Sequence, residues 1–384
     1  DIETGIKDSD LIFISVNTPT KKSGVGAGEA SDLHWIETCA RQIATYSKGH
    51  TIVVEKSTIP VRTAEALKNI LQNTKTKEED SKTFSILSNP EFLSEGNALN
   101  DLKNPDRVLI GGDNIDSIKK LKHLYLNWVE EEKIICSNLW SSELSKLTAN
   151  AFLAQRISSI NSLSELCEAT GADIEEVSKA IGMDSRIGSS FLKTSVGFGG
   201  SCFQKDILNL VYIARSQGLE IVAKYWEQIL IINKHQRDRF SKKIINCINE
   251  NNLERKILML GWAFKKNTND TRESAAIYVA GNLLENNIEI DVYDPKVNEN
   301  QINFDLSNQN FDNSLLNFVE EPFLNISNYN IIGILTEWDE FKNFDWKAVY
   351  DKIKKPAYIF DGRNILDFEK IKKIGFNYSG LGRK

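Results

Sequence analysis

Along the first third of the chain, short apolar runs alternate with stretches of helical spacing. The runs at 11–16, 51–55, 84–87 and 107–110 are mostly Ile, Leu, Val and Phe, and a turn signal closes each: Asn17-Thr-Pro19, Lys56-Ser-Thr-Ile-Pro60, Ser88-Asn-Pro90 and Gly111-Gly112. Runs that are apolar on both faces predict strands buried in a parallel sheet. Helices are predicted at 31–46, 62–73 and 115–130. Strand, helix and strand in this rhythm give an α/β domain. Such sheets bind ligands beyond the carboxyl ends of their strands, where Asn17-Thr-Pro-Thr20, Ser57-Thr58 and Asn89-Pro-Glu91 fall.

The middle third loses the strands. From 141 to 170, and again from 204 to 249, apolar residues such as Leu144, Leu147, Ile157, Ile160, Leu163 and Leu166 recur at helical spacing. Alternation resumes with runs at 256–260, 288–293, 329–335 and 357–360. The expectation is two Rossmann-like parallel-sheet domains, 1–138 and 251–384, joined by a long-helix domain over 139–250. The Asn-rich stretch 296–316 reads as a surface connection.

Composition narrows this picture. At 384 residues, 41% hydrophobic and 26% charged, the chain has apolar residues for two or three cores and falls outside the disordered, collagenous and low-complexity classes. Its longest apolar stretch, 257–264, is far shorter than the roughly 20 residues a membrane helix needs. The net charge of −6, with basic pairs scattered along the chain, argues against nucleic acid as a partner. Five cysteines without CxxC spacing, and four histidines apart from them, suggest neither a disulfide framework nor a metal site. That usage fits a reducing compartment, the cytoplasm.

Ser195-Val-Gly-Phe-Gly-Gly-Ser-Cys-Phe-Gln-Lys-Asp206 is the most informative stretch. Its glycines allow close approach of the backbone to something, and a helical pattern begins near Cys202. A cysteine there, with Lys205 three residues on, has two positive influences favouring the nucleophilic thiolate. Asp206, at i+4, could position a water or a proton. The loop nearly matches GxGxxG but fails as a dinucleotide fingerprint: no strand precedes it and Cys202 replaces the last glycine. Lys146 and Asn150, at i and i+4, put an ammonium and an amide on one helix face. Glu91 and Glu95 follow a strand end, as acid–base groups or as charges opening a helix. Lys265, Lys266 and Arg272 follow the strand 256–260 and suit phosphate oxygens or form a solvated basic loop.

Together these motifs resemble the UDP-glucose 6-dehydrogenase family. The resemblance runs through Ser15-Val-Asn-Thr-Pro-Thr20, Ser57-Thr-Ile-Pro-Val-Arg62, Ser88-Asn-Pro-Glu-Phe-Leu93, Asn104-Pro-Asp-Arg-Val-Leu-Ile-Gly-Gly112, Trp140-Ser-Ser-Glu-Leu-Ser-Lys146, Gly197-Phe-Gly-Gly-Ser-Cys-Phe-Gln-Lys-Asp206, Asp270-Thr-Arg-Glu-Ser274 and Phe360-Asp-Gly-Arg363. The segment 150–161 is similar to the eukaryotic branch.

The resemblance implies two successive NAD-dependent hydride transfers that convert the C6 alcohol of UDP-glucose to a carboxylate. Cys202 would carry a thiohemiacetal and then a thioester. Lys146 would stabilise the oxyanion with help from Asn150, Asp206 and Thr58 would hold water, and Glu91 would act in thioester hydrolysis. Implied substrate contacts are Glu91, Phe92, Leu93, Glu95, Lys146, Asn150, Lys193, Val196, Gly197, Phe198, Gly199, Phe264, Lys265 and Arg363. Arg186 would reach the site of a neighbouring subunit, which implies dimers assembled into a hexamer. Implied NAD contacts are Val16, Asn17, Thr18, Pro19, Thr20, Ser57, Thr58, Ile59, Glu95, Cys202, Lys205 and Arg272.

The family also opens with a GxGxxG loop after its first strand and an acid ending its second. The expectation is therefore that about 60 to 75 residues of the family's first sheet precede Asp1, at roughly 30 residues per βαβ unit. Two alternatives stay open: a dehydrogenase for another UDP- or GDP-hexose, and a non-catalytic UDP-sugar-binding subunit.

Overall fold

The computed structural model describes residues 1–74 and 82–383. The chain divides into two compact units, Asp1–Ala151 with Lys205–Glu227, and Phe152–Gln204 with Gln228–Lys384. The first unit holds a five-stranded sheet of β1 (Leu11–Ile14), β2 (His50–Glu55), β3 (Thr83–Ser88), β4 (Val108–Gly112) and β5 (Ile134–Ser137), in that spatial order. Its helices are α1 (Ile2–Lys7), α2 (His34–Tyr46), α3 (Thr63–Asn73), α4 (Ala98–Lys103) and α5 (Ile115–Tyr125).

Side chains alternate across a strand, so β2 feeds two cores. Val53 packs with Ile14, Ile36, Leu67 and Leu71 on one face, and Ile52 and Val54 pack with Leu87, Ile110 and Leu121 on the other. The amphipathic spacing of Ile36, Ala40, Ile43 and Ala44 turns one stripe of α2 inward.

The expected all-parallel order holds for β1, β2 and β3 and for β4 with β5. Between β3 and β4 it fails: Leu87 pairs with Gly112 and Ser88 with Gly111 in antiparallel register. Apolar periodicity carries no strand direction, so the sequence could not show this. It also missed β5, whose four residues follow the charged Glu130–Lys133 segment.

Four helices follow: α6 (Leu139–Thr170), α7 (Ile174–Gly182), α8 (Phe203–Ser216) and α9 (Glu220–Glu250). The chain passes between the two units inside α6, α8 and α9. In the second unit a six-stranded parallel sheet comprises β6 (Lys256–Leu260), β7 (Glu289–Tyr293), β8 (Leu316–Phe318), β9 (Ile331–Ile334), β10 (Tyr358–Asp361) and β11 (Asn377–Ser379). Its spatial order is β11-β10-β9-β6-β7-β8. The chain leaves β6 toward β7 on one side and returns to β9 on the other, a switch point at which the crossovers diverge and a crevice opens at the carboxyl ends.

Helices α10 (Ala275–Glu285), α11 (Glu299–Asn308), α12 (Asp339–Asn343), α13 (Trp346–Lys352) and α14 (Phe368–Ile374) complete this unit. Helix α11 corrects the reading of 296–316 as mere connection. Asn298 caps it by accepting from Gln301 N, and Ile302 and Leu306 bury its inner face at i, i+4.

Candidate active site

In the first unit, α6 carries Lys146 and Asn150 on one buried face, as their spacing predicts. Lys146 Nζ lies 3.1 Å from Glu91 Oε1, in the turn after β3. One helical turn on, Asn150 Nδ2 donates to Asp206 Oδ2 of α8 at 2.5 Å. Asp206 is almost fully buried. Burial pushes its carboxyl above the ordinary range, against the nearby Lys205, the hydrogen bond from Asn150 and the charge of Lys146. A carboxyl so balanced can take or return a proton, and a lysine ammonium in a buried setting can stabilise a developing oxyanion.

Glu91 is held further by Leu93 N, which donates to its Oε2 at 2.6 Å. Phe92 stands between Lys146 and Arg107: the Arg107 guanidinium stacks on its ring at 3.8 Å, and Lys146 Nζ lies 5.4 Å from the ring centre. Leu93 is exposed and Glu95 is half-buried in the same segment.

The turns after β1 and β2 are stitched together. Ser57 Oγ donates to the Val16 carbonyl at 2.6 Å, and Thr18 Oγ1 donates to the Thr58 carbonyl at 2.7 Å. Lys205 Nζ donates to the Thr18 carbonyl at 3.2 Å and to its hydroxyl at 3.3 Å, and lies 3.7 Å from Asp206 Oδ1. Val16, Asn17, Thr18, Pro19, Thr20, Ser57, Thr58 and Ile59 thus form one rim at the carboxyl ends of adjacent parallel strands. Its free-facing chemistry is amide and hydroxyl, Asn17 being exposed and Thr20 and Thr58 half-buried. That donor set suits a nicotinamide and its ribose.

In the second unit, loop 193–200 is gripped from two helices, a strand end and the loop before Ala275. Asn161 of α6 accepts from Thr194 Oγ1 and from Ser195 N, each at 2.9 Å. Asn233 of α9 accepts from Phe198 N at 2.9 Å and donates to the Phe198 carbonyl at 3.1 Å, while Gln236 donates to the Ser195 carbonyl at 2.9 Å. Val196 N donates to the Gly362 carbonyl beyond β10 at 2.6 Å, and Gly200 N donates to the Arg272 carbonyl at 2.7 Å.

The glycines serve this packing. A Cβ at Gly199 would lie 2.4 Å from the Glu273 carbonyl oxygen, and one at Gly197 would lie 2.8 Å from Asn233 Oδ1. What they let the backbone approach is the protein itself. Val196 and Phe198 are buried, Val196 in the core of this unit, and Lys193 is exposed.

Cys202 is exposed, one residue before α8, with Ser201 Oγ 3.5 Å from its sulfur. Phe264 follows β6, and its carbonyl accepts from Arg363 Nη2 at 2.7 Å. Arg363 also donates from Nε to the Leu335 carbonyl at 2.7 Å and lies 3.3 Å from Glu337. Its guanidinium is therefore oriented by the strand ends. Lys265 adjoins Phe264, and Arg272 forks onto Asp270 with Nε donating at 2.9 and 3.0 Å. Arg186 is exposed, with Nε 3.0 Å from Asp184 Oδ1 and Nη2 2.6 Å from Asp184 Oδ2.

Sequence reasoning missed Lys56, Asn89 and Tyr125, which surround the root of the Glu91 turn, and Asn161, Asn233 and Gln236, which hold the glycine loop. It also missed a pair of buried carboxyls, Glu55 at the end of β2 and Glu143 on α6. Glu143 accepts from Arg62 N at 2.7 Å and Ala64 N at 3.0 Å, where α3 begins. Burial raises both groups, and the charge of Glu143 raises Glu55 further. A polar residue inside a helical pattern gives no sign of whether it faces water or a loop distant in sequence.

Comparison with known proteins agrees with this geometry. Residues 1–129 match the NAD binding domain of the UDP-glucose/GDP-mannose dehydrogenase family, 140–235 its central domain and 258–368 its UDP binding domain. The whole chain aligns with the UDP-glucose 6-dehydrogenase of Drosophila melanogaster at 52% identity and with that of Bos taurus at 51%, spanning 82% and 79% of those proteins. The structure of a UDP-glucose dehydrogenase from the archaeon Pyrobaculum islandicum matches with a TM-score of 0.84 at 29% identity, over 100% of this chain and 82% of that one.

Proposed function

The chain belongs to the UDP-glucose/GDP-mannose dehydrogenase family, and from that premise we propose that it oxidises UDP-glucose to UDP-glucuronate through a covalent intermediate on Cys202. The observation that carries the reading is identity of 52% and 51%, over all of this chain, to two UDP-glucose 6-dehydrogenases. We read 1–138 as the cofactor segment, 139–250 as the segment of long helices and catalytic loop, and 251–384 as the UDP-sugar segment. NAD, when bound, accepts a hydride in each of the two oxidations.

In the first oxidation the C6 alcohol loses a proton and a hydride and becomes an aldehyde. The Cys202 thiolate adds to that carbonyl, and Lys146 stabilises the resulting oxyanion with Asn150 beside it. Loss of a second hydride from that thiohemiacetal oxyanion, as its C–O bond becomes a carbonyl, gives a thioester. Water held by Asp206 and Thr58 then attacks the thioester carbonyl, Glu91 taking the water's proton. The carbon–sulfur bond breaks, releasing the carboxylate and the thiolate.

The substrate roles given to Phe92, Leu93, Glu95, Phe264, Lys265, Arg363 and loop 193–199 rest on their positions at strand ends and on the family resemblance. So do the cofactor roles of Val16–Thr20, Ser57–Ile59, Glu95, Cys202, Lys205 and Arg272. We read the enzyme as cytoplasmic; among the described residues no helix is long and apolar enough to cross a membrane. We read it also as an oligomer of dimers, probed by Arg186 of each neighbour and supported by the exposed Leu163, Leu166 and Ile231 of the long helices.

The test is stoichiometric. The purified protein should form two NADH for each UDP-glucuronate, and Cys202→Ala should form no UDP-glucuronate. Turnover on a panel of UDP- and GDP-hexoses that favours another sugar would overturn the assignment of UDP-glucose. Sedimentation showing a monomer would overturn the oligomer.

A further inference from the structure

Behind the turn 89–93 lies a cavity of about 120 Å3, walled in part by Lys56, Asn89, Glu91, Phe92, Arg107 and Tyr125. Lys56 has no part in the roles assigned above. Its ammonium donates to Asn89 Oδ1 at 3.1 Å and to the Tyr125 hydroxyl at 3.2 Å. Tyr125 in turn donates to the same Asn89 oxygen at 2.5 Å, and Asn89 Nδ2 donates to the Leu109 carbonyl of β4 at 2.7 Å. Asn89 is fully buried and stands two residues before Glu91. The root of the turn is thus tied to β4 on one side and to Lys56 and α5 on the other.

The charged groups around Lys56 come from several elements. Glu91 faces it from the turn and Lys146 from α6. Arg107 precedes β4, while Asp101 of α4 and Asp106 of the following loop line the same cavity. Lys56 and Lys146 are therefore both within electrostatic reach of the Glu91 carboxylate, while Lys146 alone touches it.

We propose that Lys56 is a positioning residue for Glu91: its grip on Asn89 fixes the turn that carries the carboxylate, and its charge gives that carboxylate a second cation. The proposal rests on the hydrolytic role given to Glu91 above. Hydrolysis of the thioester moves a proton from water to Glu91, so the charge at this turn changes in that step. A cation on the carboxylate and a second one on the root of its turn fix where the carboxylate points and how readily it takes that proton.

Burial pulls the Lys56 ammonium down to about 8, with Glu91 pushing it back up and Lys146 lowering it further. The second cation is therefore lost in the alkaline range. The hydrolytic step should show a limb near pH 8 that belongs to Lys56.

The experiment compares Lys56→Met, Lys56→Arg, Tyr125→Phe and Glu91→Gln in the protein with UDP-glucose and NAD from neutral to alkaline pH. For K56M the expected result is a fall in kcat of about 10- to 100-fold, as for other small misplacements of a reacting group. KM for UDP-glucose should rise less than kcat falls, since Phe92 and Leu93 share the turn but the charge at Glu91 changes only in hydrolysis. The substrate adduct on Cys202 should accumulate, seen by intact-protein mass spectrometry, and the limb near pH 8 should vanish. K56R should keep most of kcat and lose the limb, because a guanidinium stays charged throughout. Y125F, which keeps the charge and loses one tie to Asn89, should keep the limb.

K56M with the parent kcat and limb overturns the proposal. If K56M does not fold, K56R decides: a limb that stays near pH 8 overturns it and a limb that disappears supports it. E91Q separates the two readings. A fully active E91Q removes the role of Glu91 and this proposal with it, whereas an impaired E91Q beside an unaffected K56M removes only the role of Lys56.

Discussion

The cluster around Lys146 and the loop around Gly197 are both buried, both polar and both held by long helices, yet they are made of different groups. The first consists of ionisable side chains: Lys146 on Glu91, Asp206 under Asn150, Lys56 on Asn89, and Glu55 with Glu143. The second is held by neutral amides, Asn161, Asn233 and Gln236, bonded to backbone groups and a threonine hydroxyl. Amides neither gain nor lose protons in the physiological range, so the loop should keep its shape as pH changes. Carboxyls and ammonium groups kept from water shift their titrations, and such shifts mark regions that move protons. The contrast separates a part that can titrate from a part that keeps its shape, which fits the catalytic and holding roles proposed for them.

Cys202 tests this division most directly, since the proposed function makes it the nucleophile although it lies beside the loop. Replacing it with Ala should abolish UDP-glucuronate formation by at least roughly 10³-fold, the scale seen when a covalent nucleophile is removed. Product assay by anion-exchange chromatography checks this. A variant that still forms UDP-glucuronate would assign the whole reaction to the ionisable cluster.

Next in size is Lys146→Ala, expected to lower kcat by about 10²- to 10³-fold through loss of a preorganised cation at the developing oxyanion. Lys146→Arg should restore only part of that, because a planar fork replaces a point charge. Steady-state kinetics with both variants distinguish a charge effect from a packing effect.

The loop should respond in stability and binding. Asn161→Ala leaves the Thr194 hydroxyl and the Ser195 N–H without their acceptor, which should cost about 1–3 kcal/mol in denaturant unfolding. Gly199→Ala should cost about 1–3 kcal/mol as well, because its Cβ would meet the Glu273 carbonyl oxygen at 2.4 Å. Both should raise KM for UDP-glucose more than they lower kcat. A change confined to kcat would contradict the holding role.

The smallest effect expected is a pH dependence of stability from Glu55 and Glu143. Burial raises both carboxyls, so the folded state binds protons more tightly than the unfolded chain. Their stabilising contribution is complete below the ordinary carboxylate value of 4.5 and is lost as pH climbs from there through the raised values. Glu55→Gln should flatten that part of the urea-midpoint profile, since the amide cannot ionise. An unchanged slope would mean that another group titrates there. Variants of Asn233 should leave the slope as it is, which is the sharpest form of the contrast between the two regions.

Much of this was legible in the chain. The i, i+4 spacing placed Lys146 and Asn150 on one face of α6, and the run ending at Glu55 announced a strand whose carboxyl end would bear Ser57 and Thr58. The glycine loop stood out by composition, although its glycines proved to fit Glu273 and Asn233 closely. Lys56 looked like one more turn residue, because its partners Asn89 and Tyr125 lie 33 and 69 residues away. Helical spacing did not single out Asn161, and only folding showed it bonded to Ser195, 34 residues on. Helix α11 hid in an Asn-rich stretch because asparagine is a poor helix former and a good cap.

By itself the sequence determined the periodicities, and with them the two strand–helix alternations, the long helices between them and the ordered motifs that carry the family. Those are local properties, set by spacing along the backbone. The tertiary structure alone decided that β4 runs against β3, that Asp206 lies under Asn150, and that Lys146 meets Glu91 while Lys56 holds Asn89 at the root of the same turn. Direction, burial and charge environment depend on which distant segments exclude water from each other, and spacing along one segment holds no record of that.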